Sequence, residues 1–371
     1  MERAVFATRW RSHAARVASG MVAAAVLAAC NAGAPPVLAP GTGASPTASS
    51  GAVTSPDVSS TTLTVYSGRE EELVAPLIER FEAESGIDIE ARYGDTAELA
   101  SIILEEGEAG DVRADVFFAQ DAGALGAVAA AGLLAPLDAT VLDRVDARFR
   151  DDEGRWVGVS GRARVLAYST ERLSEDDLPA SITELTDPTW AGRIGWAPTN
   201  ASMQAFVTAF RQLEGEDAAR AWLEGIVAND PVVYPNNTGA VEGVAAGEVD
   251  VALVNHYYLM RLLAENGPEY PVANHFLPGG DLGSLVNVAG AGILADSERA
   301  DAAARFVDYL VSEDAQTYFS EETYEFPLLD GIAADPRLPT LAEIESPEID
   351  LNSLADLQGT VELMRETGAL D

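Results

Sequence analysis

Two adjacent tyrosines, Tyr257 and Tyr258, follow the apolar run Val249 to Val254 and open an amphipathic pattern. The run predicts a buried strand and the pattern after it predicts a helix, so both phenols can face one cleft. Phenolate oxygen is a hard ligand that suits a hard trivalent cation better than imidazole or thiolate does. The pair therefore indicates a site for a highly charged cation, although an isolated tyrosine pair is more often two packed aromatic side chains.

The rest of the composition supports oxygen ligands. The chain has three histidines and one cysteine, so imidazole and thiolate groups are scarce. Free tyrosine titrates at about pH 10, but coordination to a highly charged ion removes the proton at neutral pH. Two tyrosinates and one carboxylate would neutralise a trivalent cation. A small anion, which an arginine of Ser160-Gly161-Arg162 could help to anchor, would fill the remaining positions and exclude hydroxide.

The chain is strongly acidic, with a formal net charge of −37 at pH 7. Such a surface excludes nucleic acid and anionic lipid headgroups as the main partner, and it attracts cations. Most of the carboxylates have a simpler role, which is to keep an exposed protein soluble. All 23 basic residues are arginine, which indicates a high-GC coding bias and carries no mechanism.

The first 61 residues have the composition of a delivery segment. Residues 1–29 combine a basic start with a short apolar run, Met21 to Ala29, which is typical of a secretory signal. The run ends in Leu27-Ala28-Ala29-Cys30, which resembles a bacterial lipobox. Residues 30–61 are mainly Pro, Gly, Ser, Thr and Ala and cannot form a core. We therefore expect a lipoprotein signal peptide, lipidation at Cys30 and a disordered tether, with the rest of the chain held at the outer face of the cell membrane.

Strand-like and helix-like patterns alternate along the remaining chain. The first series has strands at Thr62 to Tyr66, Ile87 to Tyr93 and Asp115 to Phe118, separated by helices at Glu70 to Glu84 and Thr96 to Glu106. A second series runs from Arg193 to Val254. Successive βα units predict an α/β fold with a parallel sheet and helices on both faces.

Two such series with a cleft between them are typical of a hinge-closing binding protein. The glycine-punctuated stretches Trp156 to Tyr168 and Leu285 to Ile293 have the length of crossover strands between two lobes. We therefore predict a two-lobed fold with the ligand cleft between the lobes. Lobe 1 comprises residues 62–160 and 287–337, and lobe 2 comprises residues 161–286 and 338–371.

Six segments resemble, in the same order, sequences of the bacterial ferric-ion-binding proteins. These are type II periplasmic-binding folds that supply iron to ABC transporters. The likeness runs from about residue 62 to residue 330, and several motifs in one order are more specific than any motif alone. The segments are Val65-Tyr66-Ser67-Gly68-Arg69-Glu70, Ala114-Asp115-Val116-Phe117-Phe118, Ser160-Gly161-Arg162-Ala163-Arg164, Arg193-Ile194-Gly195-Trp196-Ala197-Pro198-Thr199, Asn255-His256-Tyr257-Tyr258 and Tyr324-Glu325-Phe326-Pro327-Leu328.

The resemblance implies roles for particular residues. Tyr257 and Tyr258 correspond to the paired tyrosines that bind the metal. A synergistic anion such as phosphate or carbonate is held, in the family, by positions that correspond to Asn200, Ala201, Ser202, Asn237 and Asn255. The first three precede a predicted helix, whose unpaired N–H groups and dipole attract an anion. The implied partners are ferric iron, the small anion and the permease of an ABC transporter. We expect the binding protein to be a monomer that contacts the membrane only through its lipid anchor.

Three positions depart from the family pattern. Glu70 stands where one branch has a histidine ligand, and its carboxylate could replace the imidazole. Gln120, beside Asp121, stands where that branch has a glutamate ligand, and a neutral amide is a poor ferric ligand. Ser202 stands near the place where other branches have a further tyrosine. We therefore expect Glu70 to complete the metal site with the tyrosine pair.

Other classes of function find less support in the sequence. Ser202 has no obvious histidine partner, and the chain has no His-Glu-x-x-His or Walker-type segment, so catalysis is not expected. The closest alternative is a binding protein of the same fold for an anionic or organic solute, such as a phosphonate, a sugar phosphate or thiamine. The asparagines would then hold the solute and the tyrosines would line the pocket. A structural or adhesive surface protein is a third alternative, and it predicts no ligand in the cleft.

Overall fold

The computed structural model describes residues 61–370. The predicted signal peptide, Cys30 and the predicted tether up to residue 60 lie outside the described residues. Within residues 61–370, every helix is too short or too polar to cross a membrane.

The described chain begins with two βα units on a parallel sheet. β1 (Thr62–Ser67) pairs in parallel with β2 (Asp88–Tyr93) and β3 (Val116–Ala119). The connecting helices are α1 (Glu71–Ser85) and α2 (Thr96–Ala109). α1 buries the apolar face that its sequence spacing predicts, because that face packs on the sheet. The predicted alternation of strands and helices is confirmed in this region.

The remaining elements follow in chain order. They are α3 (Ala122–Ala130), α4 (Ala139–Leu142), β4 (Val157–Ser169), β5 (Ile194–Trp196), α5 (Ala201–Glu214), α6 (Glu216–Ala228), β6 (Val232–Val233), α7 (Asn237–Ala246), β7 (Val251–Asn255), α8 (His256–Asn266), β8 (Val272–His275), β9 (Val286–Ile293), α9 (Ala300–Leu310), α10 (Glu313–Glu321) and α11 (Leu357–Glu366). Short 3-10 helices lie at Ala147–Phe149, Glu175–Asp177, Ile182–Thr186, Pro188–Trp190, Leu282–Ser284 and Leu351–Ala355.

One long strand belongs to two sheets. β4 is buried along its whole length. Its residues 157–163 pair with β9, and its residues 164–168 pair with β7. The strands follow one continuous order, β2-β1-β3-β9-β4-β7-β5-β6, with β8 also on β4. We call the strands up to β4 the first sheet and those from β4 onward the second sheet, because β4 pairs with β9 through one half and with β7 through the other. The predicted crossovers at residues 156–168 and 285–293 are therefore confirmed as β4 and β9.

The sheets are mixed: the predicted parallel pairing is confirmed for β1 with β2 and β3 and recurs for β5 with β6 and β7, but the sheets also contain antiparallel pairs. β9 runs antiparallel to both β3 and β4, and β4 runs antiparallel to β7 and β8. The sequence pattern of βα units predicts only the parallel neighbours. A strand that carries the chain out of the first sheet and a strand that brings it back must run in opposite directions, which introduces the antiparallel pairs.

The end of the described chain packs on elements of both sheets. The 3-10 helix Leu351–Ala355 lies on α3, and α11 lies on α5. Gly123 in α3 permits this close approach, because a Cβ there would lie 2.4 Å from the main-chain oxygen of Leu354. The residue limits of the two lobes stay a prediction.

Candidate metal and anion site

The tyrosine pair lies at the start of α8, directly after β7. Tyr257 is 0% exposed and Tyr258 is 1% exposed. Their rings stack with centroids 4.2 Å apart and an interplanar angle of 28°. The hydroxyl of Tyr257 has no hydrogen-bond partner among residues 61–370. The predicted strand-to-helix junction is confirmed, and it brings two phenols into one buried site.

Three buried arginines lie in the same site. Arg162 and Arg164 are two residues apart on β4, so their side chains are on the same face of the strand. Arg69 lies in the turn between β1 and α1, and all three side chains are at most 2% exposed. Arg69 donates from Nη2 to Oε2 of Glu325 at 2.6 Å, and Glu325 is also fully buried. Burial and the charge of Arg69 lower the pKa of Arg162.

Several polar atoms in this site have no hydrogen-bond partner within the described part of the chain. We call them the open cleft groups, and we define them as the three guanidinium nitrogens of Arg162, Nε and Nη1 of Arg69, both side-chain amide atoms of Asn237 and the hydroxyl of Tyr257. Buried polar atoms in folded proteins are almost always paired, because an unpaired one loses its hydration without replacement. The open cleft groups lie in the same site as the tyrosine pair, which makes this part of the cleft a candidate site for a polar or charged ligand.

Burial and neighbouring charges keep the phenols protonated in the metal-free protein. Burial raises the pKa of Tyr257 well above its ordinary value, and the neighbouring Tyr258 adds to this while Arg69 opposes it. Burial and the negative charge of Glu70 raise the pKa of Tyr258, while its polar neighbours Tyr257 and Asn237 act in the opposite direction. A cation that binds here must displace phenol protons, and in return it gains two hard oxygen ligands.

Arg164 links the tyrosines to the predicted anion turn. Its Nη1 donates to Oγ of Ser202 at 3.3 Å, and its Nη2 donates to the main-chain oxygen of Leu253 at 3.2 Å. Burial lowers the pKa of Arg164 to about 9, although the neighbouring Tyr258 opposes this. The guanidinium of Arg164 thus has protein hydrogen-bond partners, whereas that of Arg162 has none within residues 61–370.

The predicted anion residues have different environments. Asn200 caps α5 and accepts from the main-chain N–H and the hydroxyl of Ser202, at 3.0 and 2.6 Å. Ala201 is the first residue of α5 and is buried. Asn255 is 4% exposed and faces Arg164 across the β4–β7 pair. Asn237 is completely buried and belongs to the open cleft groups. Asn200 and Ser202 therefore satisfy each other, while Asn237 keeps its polar atoms for another partner.

Glu70 lies at the mouth of the site. Its side chain is 45% exposed, and its Oε2 lies 3.8 Å from Nη1 of Arg261 in α8. Nη2 of the same arginine lies 3.7 Å from Oε2 of Glu72. A cavity of about 600 Å³ is lined by Glu70, Tyr258, Arg261 and other residues of α1, α7 and α8. Glu70 therefore shares a cavity with one tyrosine, but an arginine accompanies its carboxylate in this structure.

The positions next to α3 do not form a second acidic ligand set. Gln120 is buried, and its Nε2 has no partner within residues 61–370. Asp121 accepts from the N–H of Ala124 at 3.1 Å as the cap of α3. Burial raises the pKa of Asp121, and the Ala124 bond and the charge of Arg162 oppose this. Across the described residues, no three His, Cys, Asp or Glu side chains come together as a metal cluster.

His256 is not available as a ligand, because both of its ring nitrogens are engaged. Nδ1 accepts from the main-chain N–H of Ala163 at 3.2 Å, and Nε2 lies 2.8 Å from the main-chain oxygen of Tyr324. Burial lowers the pKa of His256 to about 4, against the effect of these two bonds. The tyrosine pair therefore has a neutral, packed histidine beside it.

Of this buried charge, the sequence points only to an arginine of Ser160-Gly161-Arg162 as an anchor for the anion. The other charged residues of the site, Arg69, Arg164 and Glu325, are not predicted. Arg162 and Arg164 interrupt an apolar run that continues on both sides, and an arginine is almost never fully buried unless it is paired. This interruption of the apolar run is the feature of the sequence that could have indicated both arginines. Arg69 and Glu325 are 256 positions apart, so the sequence gives no indication of their contact.

Comparisons with known proteins agree with this fold. The family model described as bacterial extracellular solute-binding protein matches residues 111–350. The Fe(3+)-binding periplasmic protein of Serratia marcescens is 32% identical over 310 residues, which cover 83% of this chain and 90% of that protein. Iron uptake protein A2 of Synechocystis is 34% identical over 320 residues, with coverage of 83% and 90%. The crystal structure of iron-bound HitA from Pseudomonas aeruginosa aligns with a TM-score of 0.79 and 36% identity, over 83% of this chain and 99% of that one.

The likeness to that structure extends over nearly all of the described residues. It confirms the predicted α/β, two-lobed periplasmic-binding fold. The family model matches well over half of the chain, and relatives above 30% identity cover more than four fifths of it. The chain therefore belongs to the bacterial ferric-ion-binding proteins, within the family of bacterial extracellular solute-binding proteins.

Proposed function

We propose that this protein binds ferric iron through Tyr257, Tyr258 and Glu70 together with a small anion, and delivers the iron to the permease of an ABC importer. The observation that carries the proposal is the stacked, buried phenol pair beside the open cleft groups. Such a site offers hard oxygen ligands for a trivalent cation and hydrogen-bond donors for an anion in the same cleft.

The tyrosines would be the principal ligands. Both phenols are protonated before the metal arrives, and coordination to a trivalent ion lowers the phenol pKa far enough to release the protons. Within residues 61–370, no cluster of His, Cys, Asp or Glu competes with them for a metal. A soft or borderline divalent ion would therefore find fewer suitable ligands here than ferric iron.

Glu70 would join the metal after leaving Arg261. The carboxylate is close enough to raise the pKa of Tyr258, and it lies in the same cavity as that ring. Its pairing with Arg261 is long, at 3.8 Å, and is partly exposed to solvent. Exposed ion pairs of this kind contribute about 0–1 kcal/mol, so a ferric ion can displace the arginine at little cost.

The anion balances the charge of the arginines. Arg69, Arg162 and Arg164 are buried around the tyrosines, and Glu325 pairs directly with only the first of them in this part of the structure. A bare trivalent cation beside this excess of positive charge would be repelled. The guanidinium of Arg162 has a planar set of donors that fits carbonate or phosphate, and Asn237 can add an amide donor. The turn of Asn200, Ala201 and Ser202, with Asn255, would support this anion through Arg164.

We infer a location outside the cytoplasm, because the relatives are named as periplasmic or extracellular binding proteins. The signal sequence and the lipobox-like Cys30 favour attachment to the outer face of the cell membrane by a lipid. The segment up to residue 61 would then give a monomeric binding domain the reach to meet its permease.

Addition of ferric citrate to the metal-free protein tests the proposal. A visible tyrosinate-to-iron charge-transfer band is expected, and Tyr257→Phe or Tyr258→Phe should abolish it. Removal of carbonate and phosphate from the buffer should weaken iron binding, and restoring either anion should recover it. A correctly folded wild-type protein that shows no band and takes up no iron contradicts the proposal.

The excess of buried arginine also favours a second candidate, which is a binding protein for an anionic solute without iron. In that case inorganic phosphate or a sugar phosphate alone would raise the melting temperature, and ferric iron would add nothing. Under the iron proposal, the anion alone binds weakly and iron increases its affinity. Calorimetric titration of phosphate with and without ferric iron separates the two functions.

A further inference from the structure

The side chain of His256 connects three separate segments of the chain. It is completely buried as the first residue of α8, immediately before the tyrosine pair. Nδ1 accepts a hydrogen bond from the main-chain N–H of Ala163 on β4, and Nε2 lies within hydrogen-bond distance of the main-chain oxygen of Tyr324. The imidazole therefore joins α8 to the shared strand and to the segment that follows α10.

These contacts fix one form of the imidazole. The main-chain N–H of Ala163 can only donate, so Nδ1 carries no proton. The oxygen of Tyr324 can only accept, so Nε2 carries the proton. A single neutral tautomer satisfies both main-chain groups.

The segment on the far side of the ring is itself firmly held. The ring of Phe326 packs against the imidazole with centroids 4.4 Å apart and an interplanar angle of 31°. Its main chain forms two hydrogen bonds with that of Gly161, at 2.7 and 2.9 Å. Tyr324 has a φ of 59°, a left-handed conformation that is unfavourable for an aromatic residue. The carbonyl of this strained residue is the one that His256 binds. Glu325, between these two residues, pairs with Arg69.

We infer that His256 is a positioning residue for the tyrosine pair. It fixes the first turn of α8 against β4 and the 324–326 segment, and this fixes how the two stacked rings present their oxygens to one ion. The ring of Tyr257 meets the imidazole edge to face, with centroids 5.9 Å apart. This inference rests on the proposed iron site and adds a residue that supports the ligands without touching the metal.

Two substitutions test the inference in the full-length protein. His256→Phe keeps the stacking on Phe326 and removes both hydrogen bonds. His256→Asn keeps an acceptor for Ala163 but is too short to reach Tyr324. We expect the affinity for ferric iron, measured by chelator competition, to fall about 10- to 100-fold in His256→Phe and less in His256→Asn. The charge-transfer band should shift in wavelength in the same order.

Asn229→Ala is the control for simple loss of stability. Asn229 donates two hydrogen bonds to main-chain oxygens of Leu185 and Asp187, in a region that contributes nothing to the proposed site. The control should lower the melting temperature and leave the band and the affinity unchanged. Wild-type affinity and an unshifted band in His256→Phe would overturn the inference while leaving the iron site intact. If that variant does not fold, the same result in His256→Asn overturns it. Absence of the band from the wild-type protein overturns both the iron site and the inference.

Discussion

Two buried side-chain amides in this protein differ in whether they have hydrogen-bond partners. Gln316, beside the first sheet, donates to the main-chain oxygens of Val159 and Leu310 at 2.6 and 3.1 Å and accepts from the N–H of Leu328 at 2.7 Å. Asn237, in the cleft, is equally buried, but its amide atoms find no partner among the described residues. The side-chain amide of Gln316 thus has hydrogen-bond partners in the protein, whereas that of Asn237 has none among the described residues.

Under the proposed function, this difference distinguishes an amide that supports the fold from one that binds a ligand. A satisfied buried amide stabilises the fold, and removing it leaves main-chain groups without partners. An open buried group costs stability in the free protein and recovers it when a ligand binds. The same contrast holds for the arginines, because Arg69 has Glu325 and Arg162 belongs entirely to the open cleft groups.

The largest expected effect is at the tyrosines. Tyr257→Phe removes an open hydroxyl, so ferric iron affinity should fall by about 1,000-fold or more while the free energy of unfolding stays the same or rises slightly. Tyr318→Phe is the matched control, because the Tyr318 hydroxyl donates to the oxygen of Leu73 at 2.8 Å. The control should lose about 1 kcal/mol of stability and no iron affinity. Chelator competition and urea unfolding measure the two quantities, and the reverse result would break the comparison.

The two arginines should respond in opposite ways. Arg69→Met leaves Glu325 buried without its cationic partner and should lower the free energy of unfolding by about 3–5 kcal/mol. Arg162→Met removes a buried charge that the described part of the protein does not pair, so stability should be unchanged or higher. The second variant should instead lose the dependence of iron binding on carbonate or phosphate. Equal destabilisation by both substitutions would show that Arg162 has a structural partner.

The amides should show a smaller version of the same contrast. Asn229→Ala breaks two hydrogen bonds and should cost about 1–3 kcal/mol of stability. Asn237→Ala should cost less stability and should weaken binding of the anion. Thermal unfolding with and without iron and phosphate distinguishes the two variants, because only the second should show a reduced ligand-induced rise in melting temperature.

Asp250 extends the comparison to a charged group whose partners are supplied by the protein itself, namely Arg193 and Arg172. Burial alone would raise its pKa, but hydrogen bonds from Arg193 and Arg172 outweigh this and lower it. A carboxylate with a lowered pKa stabilises the fold above its ordinary pKa of about 4, and this contribution disappears as the pH falls through the lowered value. Asp250→Asn should therefore cost about 1–2 kcal/mol at pH 7. Urea unfolding should show the gap from wild type closing below about pH 4, and a gap that is constant with pH would contradict the assigned role.

The sequence predicts the framework of this protein well. Hydrophobic periodicity locates β1 to β3, the first helices and the two crossover strands, because each is determined by residues near to one another in the chain. The strand-to-helix junction that carries Tyr257 and Tyr258 is found in the same way. Solute-binding proteins of this family are not enzymes, so the expectation that the chain is not catalytic is confirmed.

The hydrophobic pattern of the sequence does not predict the charge environment of the site. Glu70 is predicted as a ligand from the family resemblance, because it stands where one branch has a histidine. Its exposure and its contact with Arg261 depend on how α8 packs across the cleft. The sequence around His256 gives no indication of its two hydrogen bonds, which reach residues 93 and 68 positions away. Long-range contacts of this kind arise from the topology of β4 and β9, which the pattern of βα units does not contain.

The sharing of β4 between two sheets also determines how the molecule loses its structure. The first sheet needs β9, which follows all of the second sheet in the chain, and both sheets need the single continuous strand Val157–Ser169. Neither half can melt while the other keeps its full complement of strands. Heating should therefore give one calorimetric transition whose van't Hoff and calorimetric enthalpies agree, despite the two-lobed shape.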